Sequence, residues 1–398
     1  MTERTLELLK QVTGYIYPNE LEIQWSILIV VYPYLTGLVA GAFILASLVK
    51  VFNVKEVQPT YRLSLLTALA FLLIAPLPLL LHLGHPERGY EVLLSPNPRS
   101  AMAMFGFVYA WYLMVVLLLE IWFAYRVDLI LWAEKERFPM RWVYRVLALF
   151  SKDTSEEARR FDAKAIKLIT AIGIPSAFLL HGYVGFIFGS IKANPWWSSV
   201  LMPIAFLFSA IVSGIALVIL LYMVISPYRG VPIDMKCLDK MIAFLFYAVI
   251  IDFSLEALDF IHRLYESEES IKILSALVFN RLFTSLVVIQ VLLGMIVPLS
   301  ALVLIKLLAI DEELRKLLYF VSVILIQLGI FSMRWNVVIG GQMFSKSFLG
   351  LTTYKMEMSG LEGLLTALVL LMIPFVVLAI LIKILPPWGS TAEATAKQ

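Results

Sequence analysis

The sequence predicts an all-α protein that crosses a membrane about nine times, with eight and ten as the bounds. Three observations carry that expectation. Of the 398 residues, 61% are hydrophobic and 15% charged, whereas a soluble domain is roughly half apolar and a quarter charged. The apolar residues fall into blocks of about 20, the length an α-helix needs to cross hydrocarbon. The remaining Lys and Arg residues gather in alternate connections, as the positive-inside rule requires.

The qualifying stretches are roughly 25–49, 63–83, 101–125, 166–189, 200–225, 240–262, 279–305, 316–339 and 360–384. Residues 1–24 carry Glu3, Arg4, Glu7 and Lys10 with no apolar run of signal-peptide length, so they read as an uncleaved segment on the outer face. The transmembrane domain then occupies 25–385, and 386–398 forms a flexible tail. In the second span, Pro76 and Pro78 predict a kink whose freed carbonyls are satisfied by neighbouring helices. The connections at 50–62, 126–167, 227–240 and 306–316, with the C-terminal end, hold 21 Lys and Arg residues against 11 on the other side. That places the N-terminus outside the inner (cytoplasmic) membrane of the cell. The inner loop 126–165 is basic and amphipathic ("DLILWAEKERFPMRWVYRVLALF"), as suits a segment resting on an anionic leaflet. Trp196 and Trp197 suit an interfacial aromatic belt.

The first and fifth spans carry the small-residue pairs Gly37/Gly41 and Ala210/Gly214, and the second and sixth end in His82 and His262. Helices four apart share an orientation, so two four-helix bundles plus one extra helix are expected. A net charge of +3 with scattered cations gives no footprint for nucleic acid. The single Cys237 supports no disulfide framework, and one thiolate holds neither an iron–sulfur cluster nor a structural zinc. No metal site is expected, and four histidines limit haem ligation to two haems at most.

The residues that can carry chemistry are ionisable groups inside spans. Asp252, Glu256, Asp259 and Arg263 recur at i, i+4, i+7 and i+11, on one helical stripe that must face protein or water. Two readings stand side by side. The stripe is a set of buried ion pairs, with Arg263 neutralising one acid and a cation on a neighbouring helix another; or Asp252 and Glu256 relay protons. His181 lies about eight residues, or some 12 Å, inside the outer end of the fourth span, at a depth like that of Asp252 and Glu256. Beside Tyr183 it can hydrogen-bond a quinone carbonyl and pass a proton, or it is a neutral imidazole bonded to an adjacent helix. Glu120, near the inner face, can snorkel or pair with Arg126. Gln290 and Gln327 suit interhelical hydrogen bonds. In "HLGHPERG", Glu87 and Arg88 can pair within a turn that presents His82 and His85 to the outer interface, either as a salt-bridged turn or as a docking or proton-transfer surface.

Taken in order, "WSILIVVYPYLTGLVAGAFILAS", "HLGHPERG", "IPSAFLLHGYVGFIFGSIKANPWWSSVLMPIAFLFSAIVSG", "RLFTSLVVIQVLLGMIVP" and "RWNVVIGGQ" resemble the NrfD/PsrC family of polysulfide-reductase-type membrane subunits over about 25–345. The resemblance implies a haem-free, quinone-binding subunit. It implies docking on the outer face to an iron–sulfur protein that serves a molybdopterin or other catalytic subunit. By position it assigns the quinone to Asn19, to His82 and His85 in their turn, and to His181 and Tyr183, with Asp252 and Glu256 as proton carriers. The family often has Asp where His82 stands and Arg where His85 stands, while Gly84, Pro86, Glu87 and Arg88 match its pattern. Two other readings are a di-haem cytochrome b-type quinone subunit using the four histidines, and a secondary transporter whose acids couple ion flux to a solute.

Overall fold

Nine helices long and apolar enough to cross a membrane occur among the residues described by the computed structural model, which are 10–388 apart from 96, 98, 267–269 and 309. They are α1 Ile27–Lys50, α2 Lys55–His82, α3 Met104–Lys135, α4 Glu156–Gly189, α5 Met202–Tyr228, α6 Met235–Arg263, α7 Ile271–Leu307, α8 Glu312–Gln342 and α9 Leu364–Ile384. The chain is a multi-pass membrane protein. The start of the outer segment, 1–9, and most of the expected tail, 389–398, lie outside the described residues. Several helices run past their apolar cores because caps and propensity, not hydropathy, decide where a helix stops. Ser155 accepts from the Ala158 amide and Glu156 and Glu157 follow in the first turn, so α4 starts well before its hydrophobic part. Helix therefore occupies both ends of the stretch 126–165, and a short basic helix, Met140–Leu147, lies between them.

The helices form two groups of four plus a ninth. α1 packs on α2 and α4, and α3 on α4; α5 packs on α6 and α8, and α7 on α8; α9 lies mainly against α2. The groups join where α1 and α4 pack on α5, and the small residues singled out from the sequence meet at the α1–α5 crossing. A Cβ on Gly41 would strike the Ala210 carbonyl and Gly214, and one on Gly37 would lie 3.2 Å from the His181 ring. Only small residues permit backbones that close. Gly294 and Gly329 make the equivalent approach between α7 and α8. On α9, Leu365, Leu368, Val369, Met372, Val376 and Ile380 are exposed, an apolar face turned to lipid.

Two irregularities follow from the backbone's need for partners. α2 breaks at Pro76, which has no N–H for the Leu72 carbonyl; the Tyr109 hydroxyl of α3 donates to that oxygen at 2.8 Å. α3 contains a π-helical turn, Tyr112–Leu117, and α7 is π-helical over Val278–Ile296. Between α3 and α4, Arg126 binds Asp162 through two guanidinium nitrogens, at 2.9 and 2.7 Å, and donates to the Asp153 carbonyl at 2.5 Å.

On the side where α1 begins, called here the N-terminal face, the strand β1 Thr13–Tyr15 pairs antiparallel with β2 Leu349–Leu351. Glu20 accepts from the Ser345 hydroxyl and the Lys346 amide. Gln342 bonds both the amide and the carbonyl of Trp25. The segment before α1 is thereby tied to the one after α8.

Candidate functional site

The bundle core holds an arginine that hydropathy and charge counting assign to the outer connections. Arg334 lies inside α8 with no exposed surface. Its Nη2 donates to the Ser209 hydroxyl at 2.6 Å, to His181 Nε2 at 3.0 Å and to the Phe206 carbonyl at 3.3 Å. Its guanidinium lies 4.1 Å from the Phe206 ring centre, and the His181 ring stacks on the same phenylalanine. A sequence signal for Arg334 does exist: an arginine inside a span of residues 316–339 is costly and needs partners.

Arg334 fixes the state of His181. A guanidinium only donates, so His181 Nε2 accepts, and the proton of the neutral ring sits on Nδ1, 3.3 Å from the Thr36 hydroxyl. Thr36 in turn donates to the carbonyls of Tyr32 and Pro33. Both imidazole nitrogens are thus engaged within the protein, on α1 and α8. This leaves neither of them for a haem axial bond.

The acidic stripe of α6 divides in two. Near the N-terminal face, Asp259 pairs with Arg263 and accepts from the Ser199 hydroxyl, clamping α6 to the loop before α5. Deeper, Glu256 Oε2 accepts from Gln290 Nε2 at 2.8 Å, while its Oε1 is buried with no hydrogen-bond partner among the described residues. Neither oxygen of the fully buried Asp252 has such a partner among them. Arg334 is within electrostatic range of both acids. The core therefore gathers one cation, two acids and a neutral imidazole from α8, α6 and α4.

Two cavities flank this cluster on the N-terminal half. One, of about 430 Å³, lies among α5, α6, α7 and α8 and is lined by Glu256, Gln290 and Asn336 together with apolar and aromatic side chains. The other, of about 500 Å³, opens at the N-terminal face, where Asn19, Trp25, Asn194, Trp197, Gln342 and Lys346 line it. The Trp25 and Trp197 rings, both in its lining, stack on each other at 5.3 Å.

Several expectations need correction. Trp196 and Trp197 are buried, not part of an interfacial belt: their indole N–H groups donate to the Asn336 and Val337 carbonyls, capping the end of α8. Glu87 does not pair with Arg88; it faces His85 at 3.0 Å, and Arg88 binds Glu91 instead, holding that carboxyl below its usual range. Glu120 neither snorkels nor meets Arg126. It is fully buried and accepts from the Tyr61 hydroxyl at 3.0 Å, while Arg126 belongs to Asp162. Gln290 and Gln327 do bond between helices, Gln327 receiving the Tyr34 hydroxyl at 2.7 Å.

Among the residues expected to meet a quinone, Asn19 lines a cavity. His82 pairs with Glu362 at 3.1 Å on the same face. His85 lies in its exposed turn, and Tyr183 is part-buried on α4 with its ring 6.0 Å from Phe186. His181 sits in the core network. The structure does not bring these five into one pocket.

A family model described as polysulphide reductase, NrfD matches residues 18–346. A selenate reductase subunit of Mesobacillus selenatarsenatis is 37% identical over 203 residues, covering 50% of this chain and 47% of that protein. A putative dimethyl sulfoxide reductase membrane subunit of Halobacterium salinarum is 28% identical over 219 residues, 53% of this chain and 45% of the relative. An Hdr-like menaquinol oxidoreductase integral membrane subunit of Archaeoglobus fulgidus is 24% identical over 197 residues, 50% of this chain and 41% of its own. The chain spans about half the length of the curated relatives it matches.

Proposed function

This chain belongs to the polysulphide reductase NrfD family, and from that membership we propose that it is the quinone-binding membrane subunit of a respiratory oxidoreductase complex. In this reading it anchors the complex in the cytoplasmic membrane with the N-terminal face outside. It passes electrons between the quinone pool and an iron–sulfur subunit docked on that face, which serves a molybdopterin or other catalytic subunit. The names of the relatives support the reading, since they are subunits of reductases and of a menaquinol oxidoreductase.

The observation that carries it is the core cluster. A cation, two incompletely bonded acids and an imidazole inside a membrane bundle are expensive to keep, and intramembrane ionisable groups of this kind mark proton or ion pathways. A bound quinone supplies a lipid-soluble couple of two electrons and two protons. The Asn19 cavity suits such a group: the Asn19 amide has no side-chain hydrogen bond among the described residues, and the Trp25 and Trp197 rings contribute apolar aromatic lining. Asn19 would orient a ring oxygen, and His82, His85 and Tyr183 lie along the same half of the molecule. Asp252, on either carboxyl oxygen, and Glu256, on Oε1, hold and release protons where no protein donor is present among the described residues. His181 holds its proton at Nδ1 and takes a second at Nε2 only when Arg334 withdraws.

In the assembled complex, His181→Ala or Asp252→Asn should lower quinol-linked turnover by about 10²-fold, the scale of one acid–base group. Assembly and activity with an artificial electron donor to the partner subunits should persist. Unchanged quinol turnover in both variants refutes the proposal.

A further inference from the structure

We propose that the cavity among α5, α6, α7 and α8 is a second binding site, separate from the Asn19 cavity, for a neutral, membrane-dissolved molecule of the quinol–quinone class. The site stands on its own geometry; only the identity of the class rests on the function proposed above.

The polar end of the cavity is a relay of hydrogen bonds that finishes on Glu256, whose second oxygen lies buried in the cavity wall, a turn of the side chain away from a ligand. The Ser285 hydroxyl donates to Asn336 Oδ1 at 2.6 Å, Asn336 Nδ2 to Gln290 Oε1 at 2.7 Å, and Gln290 Nε2 to Glu256 Oε2 at 2.8 Å. Every amide is thereby oriented, and the other Glu256 oxygen is left buried with no protein partner among the described residues. A buried carboxyl oxygen needs a hydrogen bond. In its ionised form it accepts one from a ligand hydroxyl, and in its protonated form it gives one to a ligand carbonyl. A hydroxylated or carbonyl-bearing ring satisfies it in both states.

The rest of the lining selects against anions and for flat apolar bodies. Asp259 and Arg263 neutralise each other, so among the described residues Glu256 is the lining group whose charge is not balanced within the cavity wall, and an acidic lipid headgroup is disfavoured there. Phe253, Phe260, Phe279 and Trp196 contribute aromatic surface, and about 430 Å³ lies within the range of small-molecule sites. The wall contributed by α7 belongs to its π-helical stretch; widened helices of this type recur at functional sites. Phe279, in the first turns of α7, lines the cavity and is 66% exposed, so the cavity reaches the side of the bundle, where a ligand would enter from the bilayer.

The test is photolabelling of the full chain in zwitterionic nanodiscs with a short-tailed azido-naphthoquinone, with labelled peptides mapped by mass spectrometry. Two labelled regions are expected: one over 253–291, and one over 19–25. Ala257→Trp, which fills the cavity, should remove the first and keep the second, and the retained label reports intact folding. Glu256→Gln should weaken labelling of 253–291 about tenfold, the cost of one charge-assisted hydrogen bond. Labelling of 19–25 alone overturns this inference and leaves the proposed function standing; labelling of neither region overturns both. Labelling of 253–291 that decanol or diacylglycerol displaces as well as unlabelled naphthoquinone does overturns the assignment to the quinone class.

Discussion

Replacing Arg334 by Met keeps length and removes the charge that reaches His181. Three hydrogen bonds to other helices disappear, to His181, Ser209 and Phe206. At about 0.6 kcal/mol each, the average for side-chain bonds in a membrane bundle, they account for about 2 kcal/mol. Arg334 makes no ion pair with Asp252 or Glu256, but its charge acts on both across the core, and coupling between neighbouring buried groups adds about 1–3 kcal/mol. The expected loss is therefore about 3–5 kcal/mol, read from reversible unfolding of the purified protein in mixed micelles of increasing SDS content. A double-mutant cycle isolates the charge contribution. Asp252→Asn in the Arg334→Met background should recover about 1–3 kcal/mol, because one of the stranded acids is gone. A single-variant loss below about 1 kcal/mol, or additivity of the two substitutions within about 0.5 kcal/mol, refutes the view that Arg334 holds these acids in place.

Gly41→Leu should abolish monodisperse protein in detergent, since no Cβ fits against α5, whereas Gly84→Ala, with nothing within 4 Å of the added carbon, should behave as the parent does. Tyr109→Phe leaves the Leu72 carbonyl without its donor; a loss of about 1–2 kcal/mol is expected, with faster amide exchange confined to residues around 70–78. Ser155→Ala removes the α4 cap and should cost about 1 kcal/mol. The Ser155 backbone N–H also donates to Asp153 Oδ1 at 2.9 Å, outside the spans, and hydrogen bonding to Ser155 holds that carboxyl below its usual range. A depressed carboxyl stabilises the fold above its unfolded value and ceases to as pH falls through its folded one. The Asp153 contribution should therefore be present at neutral pH and vanish in acid, so the stability gap between the parent and Asp153→Asn should close as pH falls and the carboxyl is protonated in both states.

The site is legible in the sequence in parts that differ for a physical reason. The stripe Asp252, Glu256, Asp259 and Arg263 follows from helical periodicity alone, and the structure keeps all four on one side of α6. Periodicity does not say which of them is paired, because the donors are Ser199 from a loop and Gln290 from α7. Trp196 and Trp197 illustrate the same gap: an indole beside a span end suits an interfacial belt, and only the arrival of α8 carbonyls beneath it makes it a buried cap. Arg334 carries a sequence signal, a cation within an apolar run, but a cation near a span end reads equally well as a marker of topology.

The sequence by itself determined that the chain is all-α and crosses a membrane about nine times, and that small residues mark where some of the helices touch. A bilayer is a uniform slab, so the cost of each residue within it can be read along the chain without knowing its neighbours. The tertiary structure alone decided that Gly41 meets Gly214, that His181 answers to Arg334, and that Glu256 ends a hydrogen-bond relay with one oxygen buried and without a protein donor among the described residues. Each of those depends on how helices far apart in sequence are rotated against one another, and hydropathy carries no record of rotation.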